Sequence, residues 1–326
     1  MQSLRRPDSA VYSMILLSAG DRNGLDLPKV IRPVSTIVLS PELQQEFPFT
    51  LRSIQLDGHQ YAYVDEGQGP TVLFVHGNPT WSFAWRNLIK GLLPDYRCLA
   101  VDHIGMGLSD KPQDYPYRLE NHIDNLCRFI EQQDLKEITL VGHDWGGCIG
   151  MGAAGRLPDR FQRFVMMNTA AFRSKRIPAR IAVCRTPGLG PLMVQGFNAF
   201  AGAAIHMAVS HHDRMTPVVK EGFLLPYHSW SQRKAVQRFV EDIPLHQGEP
   251  SYSTLVKVEE GLAQFADAPW LFFWGERDWC FTTEFLAEWQ RHFPNADVVR
   301  FPDAGHYVFE DAHERIVPEL KKFLAK

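Results

Sequence analysis

The sequence predicts an α/β protein with a doubly wound, mostly parallel sheet of eight strands and an inserted helical cap. Short apolar runs alternate with amphipathic stretches of helical spacing along most of the chain, as in repeated βαβ units. The alternation stops once, between residues 173 and 261, where Pro, Gly, Met and aromatic residues are frequent and no buried strand is indicated. Because loops of that length are rare inside a domain, we predict that this segment is helical.

The remaining elements follow from the same patterns, in chain order. Residues 51–57 and 60–64 alternate in polarity around Gly58 and predict an opening hairpin. Buried parallel strands are predicted at residues 71–76, 97–102, 138–142, 164–167, 270–274 and 298–301. Helices are predicted at residues 119–135, 283–293 and 314–324. We therefore expect an N-terminal extension over residues 1–48, a core in two parts over 49–172 and 262–326, and a cap over 173–261.

Composition excludes several classes of function. Hydrophobic residues make up 45% of the 326-residue chain and the formal net charge is −3, so a sizeable core is possible and a nucleic-acid-binding surface is not expected. The five cysteines are scattered and form no CxxC pair, which fits reduced thiols in the cytoplasm and gives no metal-site spacing.

Two apolar stretches raise the question of targeting or membrane insertion. Residues 11–19 follow a pair of arginines, but the stretch is short and polar residues interrupt it, so we interpret it as part of the extension. Residues 191–210 contain Gln195, Asn198 and His206, which favours a buried or cleft-lining helix and no stable membrane insertion.

Residues with catalytic potential follow the predicted strands. In an open parallel sheet, the carboxyl ends of the strands form the site. His76-Gly77-Asn78-Pro79 follows the strand at 71, Gly142-His143-Asp144-Trp145-Gly146-Gly147 ends the strand at 138, Asp278 follows the strand at 270, and His306 follows the strand at 298. The chain order is thus Asp144, Asp278, His306, which is the nucleophile, acid, histidine order of α/β-hydrolases.

The turn at 142–147 resembles the nucleophile elbow of the α/β-hydrolase fold, with Asp144 at the position that usually holds serine. A carboxylate gains little by attacking an acyl carbon, because the anhydride reverts. Attack on an sp3 carbon that carries a leaving group instead gives an alkyl ester. His306 could activate water to hydrolyse that ester, with Asp278 orienting the imidazole. Asp303 and Asp311 flank His306 and could also orient it, but strand-end placement favours Asp278, and we interpret the other two as surface or turn residues.

The combined motifs HGNP-x-W and GHDWGG, with the late Asp278 and His306, resemble the haloalkane dehalogenases over residues 50–326. The resemblance implies that Asn78 and Trp145 bind the departing halide and that no cofactor or metal is used. An acid after the strand at 270, together with the Asn–Trp pair, is similar to the third subfamily. The expected partner is a small hydrophobic substrate, with oligomer formation or assembly with other pathway enzymes left open.

A second activity fits the same residues. The segments DHIGMGLSD (102–110), NTAAF (168–172), FNAF (197–200) and DAGHYVFED (303–311) also resemble the β-lactone decarboxylases of long-chain olefin synthesis. In both families Asp144 would attack an sp3 carbon as an anion departs toward Asn78 and Trp145. Only the lactone path would then release carbon dioxide and give a cis-alkene. We place the dehalogenase first and keep the decarboxylase as the alternative.

Three further hypotheses have less support. An epoxide hydrolase needs an acid for the epoxide oxygen, usually paired cap tyrosines, and the cap offers Tyr227 alone before Tyr252. A fluoroacetate dehalogenase needs arginines after the nucleophile, where Trp145-Gly146-Gly147 stands. A non-catalytic binding protein would have lost a member of the triad, and Asp144, Asp278 and His306 are all present.

Overall fold

The computed structural model of the chain describes residues 32–33 and 39–326. Its strands form one sheet: β1 Arg32–Pro33, β2 Leu51–Leu56, β3 His59–Glu66, β4 Thr71–Val75, β5 Arg97–Val101, β6 Ile138–Asp144, β7 Phe161–Thr169, β8 Trp270–Gly275 and β9 Asp297–Phe301. The eight predicted strands are confirmed as β2 to β9. The short β1, inside the predicted extension, adds a two-residue pairing at the sheet edge.

The helices are α1 Pro41–Glu46, α2 Arg86–Leu92, α3 Leu119–Gln132, α4 Trp145–Arg156, α5 Ala179–Cys184, α6 Leu189–Pro191, α7 Ala199–Met207, α8 Pro217–Leu224, α9 Lys234–Glu241, α10 Tyr252–Gly261, α11 Thr283–His292, α12 Val308–Asp311 and α13 His313–Leu324. A π-helical turn, Leu192–Gly196, joins α6 to α7. Short 3₁₀ turns are Ser82–Trp85, Pro158–Arg160, His212–Arg214, Ser231–Arg233 and Leu262–Phe265.

The strand order is β1-β2-β3-β5-β4-β6-β7-β8-β9. The first three pairings are antiparallel and those from β5 to β9 are parallel. Side chains on β6 and β8 are buried throughout because both sheet faces are covered. The carboxyl ends of β4, β6, β8 and β9 therefore lie along one edge of the sheet, where the predicted site residues come together.

Helices cover the two faces separately. Ile123 and Leu126 of α3 and Trp289 of α11 belong to the apolar cluster on one face, whereas Leu88 of α2 and Leu320 of α13 belong to the cluster on the other. Each amphipathic helix buries its apolar stripe against the sheet, which is the doubly wound arrangement that the sequence predicts.

Between β7 and β8 the chain forms helices and turns. Helix α5 packs on α6 and α9, and α7 packs on the π-turn and α8, so these elements form a helical layer above the strand ends. The last helix before β8, α10, packs on α3 and α4 of the core. The boundaries drawn from sequence at residues 173 and 261 stay predictions. Among the helices of the described chain, none has the length and apolarity that crossing a bilayer requires.

Part of the predicted N-terminal extension packs into the core. Leu43 of α1 and Phe47 are buried, and the Phe47 ring lies 5.3 Å from that of Trp81, between ring centroids. The apolar stretch at residues 11–19 lies outside the described residues, as do the rest of residues 1–31 and residues 34–38.

Candidate active site

Asp144 occupies a strained turn between β6 and α4. Its backbone has φ 52° and ψ −126°, a conformation that costs a non-glycine residue roughly 1–3 kcal/mol and is found mostly at functional sites. The surrounding hydrogen bonds hold it there, including one from the Thr169 hydroxyl to the Asp144 carbonyl. The turn lifts the Asp144 side chain above the sheet edge.

Two glycines of the elbow leave no room for a side chain. A Cβ on Gly146 would collide with the Val75 carbonyl, and a Cβ on Gly147 would collide with the Thr169 hydroxyl. The spacing of small residues around Asp144 thus follows from the close approach of α4 to β4 and β7.

The Asp144 carboxylate is buried and held by backbone N–H groups. The Asn78 backbone N–H donates to Oδ1 at 2.6 Å, and the Trp145 N–H also interacts with the carboxylate. Burial raises the pKa of Asp144, while the charge of His306 and the two N–H donors oppose that rise. The Asn78 N–H is placed to stabilise negative charge that develops on Oδ1, and the Trp145 N–H adds a second donor to the carboxylate.

His306 lies between two carboxylates. Its Nδ1 is 2.8 Å from Oδ2 of Asp278, and its Nε2 is 3.8 Å from Oδ2 of Asp144. Burial alone would lower the pKa of His306, but the charge and hydrogen bond of Asp278, with the charge of Asp144, raise it overall. The Asp278 contact fixes the ring so that Nε2 faces Asp144.

The two acids that flank His306 in sequence are engaged elsewhere. Asp311 accepts hydrogen bonds from the backbone N–H groups of Gly305, Ser210 and His211 at 2.7–2.9 Å. Asp303 pairs with Arg315 at 2.9 Å on the surface. The structure therefore brings Asp144, His306 and Asp278 together and leaves Asp303 and Asp311 outside the group.

Asn168 contributes to the site in a way that sequence reasoning missed. Its Nδ2 donates to Oδ2 of Asp278 at 3.0 Å and to the Gly275 carbonyl at 3.0 Å. Its Oδ1 accepts from the Gly275 N–H at 2.8 Å. Asn168 thereby ties the end of β7 to β8 and supports the carboxylate that orients His306. Its place at the end of a predicted strand was the available signal, but in the sequence analysis it figures only within the segment NTAAF (168–172).

The two predicted halide-binding side chains lie beside Asp144. Asn78 Nδ2 donates one hydrogen to the Val236 carbonyl at 3.1 Å, which leaves its second hydrogen free. The Trp145 indole packs edge-on against Phe239 at 5.2 Å, and its N–H makes no hydrogen bond to any described residue. Both residues border the cavity above Asp144.

Two apolar cavities meet at Asp144. The first, the α9 arm, has a volume of about 850 Å³ including its mouth; Val240 of α9, Leu255, Phe172, Phe281, Phe285 and Ile177 contribute to its lining. The second, the α7 arm, has about 900 Å³ including its mouth; Ala199, Ala203, Ala204 and Met207 of α7, Met193 and Trp279 contribute to its lining. Asn78, Asp144, Ile181, Phe200 and Cys280 border both arms.

This arrangement suits displacement at a carbon atom inside an apolar site. Asp144 is placed to act as a nucleophile, Asn78 and Trp145 offer N–H donors, and His306 is placed to accept a proton. Tyr227, the cap tyrosine considered for epoxide chemistry, is buried against Thr80 and Met106 and lines neither arm. Within the described residues no group of three His, Cys, Asp or Glu side chains is placed to hold a metal ion.

Comparisons with known proteins agree with this geometry. Residues 70–313 match the family described as "alpha/beta hydrolase fold". A cis-3-alkyl-4-alkyloxetan-2-one decarboxylase of Shewanella oneidensis is 42% identical over 86% of this chain and 89% of its own length. Haloalkane dehalogenase 2 of Mycobacterium tuberculosis is 30% identical over 85% of this chain and 95% of its own.

Solved structures show the same likeness. The crystal structure of a haloalkane dehalogenase from Agrobacterium tumefaciens C58 superimposes with a TM-score of 0.77 at 29% identity, covering 85% of this chain and 96% of that one. One from Bradyrhizobium elkanii gives a TM-score of 0.78 at 27% identity, with 85% and 98% coverage. The chain is therefore an enzyme of the α/β-hydrolase fold family, in the group that contains haloalkane dehalogenases and cis-3-alkyl-4-alkyloxetan-2-one decarboxylases.

Proposed function

We propose that this enzyme decarboxylates β-lactones that carry an alkyl chain on each of two adjacent ring carbons, giving a cis-alkene and carbon dioxide. The observation that carries the proposal is the pair of apolar arms that meet at Asp144. This order reverses the preference drawn from sequence, in which the dehalogenase came first. The names of the relatives at 41–42% identity support the change.

Two arms match the shape of a two-chain substrate. A lactone with alkyl groups at C3 and C4 is forked at its reacting carbons. If C4 lies at Asp144, one chain can enter the α7 arm and the other the α9 arm. The linings of both arms are mainly apolar, which suits alkyl chains. A simple primary haloalkane would occupy one arm and leave the other unused.

The first step is ring opening at an sp3 carbon. Asp144 Oδ2 attacks C4 of the lactone from the side opposite the ring oxygen, and the C4–O bond breaks. The electron pair of that bond leaves on the ring oxygen, which becomes part of a carboxylate still attached to C3. The N–H groups of Asn78 and Trp145 are placed to stabilise that carboxylate. The product is an ester between Asp144 and C4, with inverted configuration.

The second step regenerates the nucleophile. The electrons of the C3–carboxylate bond form the C3=C4 double bond, the bond from C4 to Asp144 breaks, and carbon dioxide leaves. After inversion the ester oxygen and the carboxylate are antiperiplanar, so elimination from a cis-lactone gives a cis-alkene. No proton is transferred and no water is consumed, so His306 is not needed as a base on this path.

Product analysis tests the proposal. Purified protein is offered a cis-3,4-dialkyl-β-lactone and, separately, a bromoalkane of similar length, with Asp144→Ala as the control. Cis-alkene and carbon dioxide in equal amounts, absent with Asp144→Ala, are the expected outcome. A hydroxy acid from the lactone, or bromide release at a much higher kcat/KM than lactone loss, would contradict the proposal.

Haloalkane dehalogenation remains a second candidate because of one specific feature. The indole of Trp145 and the amide of Asn78 line the same cavity as Asp144, and each keeps an N–H that is not donated to any described residue, which suits a monatomic anion as well as a carboxylate. On this path halide leaves C–X, water attacks Cγ of the Asp144 ester, and His306 takes the proton of that water. The alcohol then departs, and His306 returns the proton to solvent.

A further inference from the structure

We propose that the cap docks on the surface of an anionic phospholipid bilayer, with the mouths of both substrate arms facing the lipid. The surface concerned, the cap face, consists of the exposed apolar residues Val183, Leu189, Leu192, Phe197, Met207 and Trp230, with Lys175 and Arg180. Docking would let substrate pass from the bilayer into the arms, and this role rests on the proposed function. The binding to the bilayer does not depend on it.

The charge of this segment differs from that of the whole chain. Residues 173–212 contain five Arg and Lys residues and no Asp or Glu, although the chain as a whole carries a net charge of −3. Three of the five cations pair with acids outside the segment: Arg173 with Glu259, Arg176 with Glu284, and Arg185 with Glu249. Lys175 and Arg180 form no ion pair with any described residue, so positive charge is left on this face.

The exposed apolar side chains are concentrated in the same place. In the described part of the chain, the large hydrophobic residues that stay exposed lie between residues 183 and 230. Phe197 is 76% exposed and Trp230 is 51% exposed. Leu192 and Trp230 both border Gly196, at 3.4 and 3.3 Å from the position of its missing Cβ. The exposed apolar residues thus lie on elements of the cap that pack on one another, namely α5, α6, the π-turn and α7, with Trp230 beside the π-turn.

The substrate arms reach this surface. Met193 and Met207 line the α7 arm, and Arg180, at its edge, stacks on Trp279 with 4.3 Å between guanidinium carbon and ring centroid. Ser174 and Arg176 line the α9 arm. Both apolar arms are therefore lined in part by the segment that carries the cations and the exposed apolar residues.

An anionic bilayer is the partner that satisfies all three features. Cationic side chains attract anionic headgroups, exposed apolar side chains enter the boundary between headgroups and acyl chains, and a long-chain lactone dissolves in the acyl region. Each cation at an anionic surface strengthens binding about fivefold. A protein partner would need complementary acids but would not account for the opening of both apolar arms on the same face.

Vesicle co-flotation of the full chain tests the proposal. We expect binding to phosphatidylcholine vesicles that contain phosphatidylglycerol, weaker binding to phosphatidylcholine alone, and a loss of binding at high salt. The variant Lys175→Glu/Arg180→Glu should bind at least about 25-fold more weakly, from about fivefold for each cation removed. The matched control Lys136→Glu/Lys322→Glu makes the same change in net charge away from the cap and should bind as wild type does.

The apolar contribution has its own variant. Leu192→Ser/Phe197→Ser changes two exposed residues that line neither arm, so turnover of a short, water-soluble lactone should be unchanged while vesicle binding falls. Absence of wild-type binding, or equal loss in the charge control, would overturn the proposal. The proposal would also be overturned if Leu192→Ser/Phe197→Ser kept its vesicle binding but no longer self-associated in size-exclusion chromatography. The cap face would then be an interface between copies of the chain. Failure of the proposed function would appear separately, as inactivity toward the soluble lactone.

Discussion

The imidazole Nε2 of His306 lies 3.8 Å from Oδ2 of Asp144, beyond hydrogen-bond distance, so the ring is free to take a proton from water that attacks Cγ of an Asp144 ester. We expect His306→Ala to displace bromide from a bromoalkane once and then stop, because the ester cannot be hydrolysed. Intact-protein mass spectrometry should show an added alkyl group, with Asp144→Ala as the control that shows none. Lactone decarboxylation should survive in His306→Ala, since that path needs no base; loss of both activities would contradict this division of roles.

The two activities should also differ in their pH dependence. The pKa of His306 is raised, with Asp278 and Asp144 outweighing the effect of burial, and only the neutral imidazole accepts a proton. Bromoalkane hydrolysis should therefore fall as the pH is lowered through that raised pKa. Lactone decarboxylation should persist to lower pH, until Asp144 itself is protonated. Profiles of kcat for both substrates on one preparation decide this, and coincident profiles would show that a single group controls both reactions.

Asp278 and Asp303 form a matched pair for testing the orienting acid. Asp278→Asn should lower bromoalkane hydrolysis by up to about 10⁴-fold, because the imidazole loses the partner that fixes its tautomer and stabilises its charge. Asp303→Asn changes an exposed carboxylate paired with Arg315 and should leave the rate within about twofold, since exposed ion pairs contribute little. Steady-state kinetics check both. A large defect in Asp303→Asn with none in Asp278→Asn would show that Asp303, and not Asp278, orients His306.

Each arm can be filled separately by enlarging one alanine in its lining. Ala203→Phe should fill the α7 arm and Ala170→Phe the α9 arm, since both alanines line the respective cavities. We expect each variant to lose about 10²-fold or more in kcat/KM for a lactone with two long chains, an effect of a few kcal/mol typical of overpacking. Turnover of 3,4-dimethyl-β-lactone should be kept. Ala182→Phe is the control, because Ala182 lies on α5 but lines neither arm. Equal activity of all three variants on the long-chain lactone would show that the arms do not hold the chains.

Sequence patterns predicted the sheet well because its strands are buried on both faces and therefore read as short apolar runs. The prediction for β7 began at residue 164, whereas the strand begins at Phe161, because Gln162 and Arg163 interrupt the apolar run. Helix α4 was not among the helices predicted from periodicity. Five of its residues are glycines, which lower helix propensity, and its burial on nearly all sides leaves no amphipathic period.

The site residues could be proposed from strand ends because the fold brings those ends to one edge. Other parts of the site depend on tertiary contacts that no local pattern contains. Asn168 supports Asp278 through hydrogen bonds from a neighbouring strand. The division of the cavity into two arms arises from how α5, α7 and α9 lie above Asp144.

The tight packing around the Asp144 carboxylate determines which of its oxygens enters each successive alcohol product. Oδ1 accepts a hydrogen bond from the Asn78 N–H, and Gly77 lies so close that a Cβ there would collide with the same oxygen. The carboxylate therefore has little freedom to rotate about its Cβ–Cγ bond and exchange its two oxygens. In ¹⁸O water, the first alcohol formed from a bromoalkane should carry an unlabelled oxygen from the protein. The entering ¹⁸O then occupies the attacking position, so the second alcohol should be almost fully labelled, whereas a carboxylate that rotates between cycles would label only half of it.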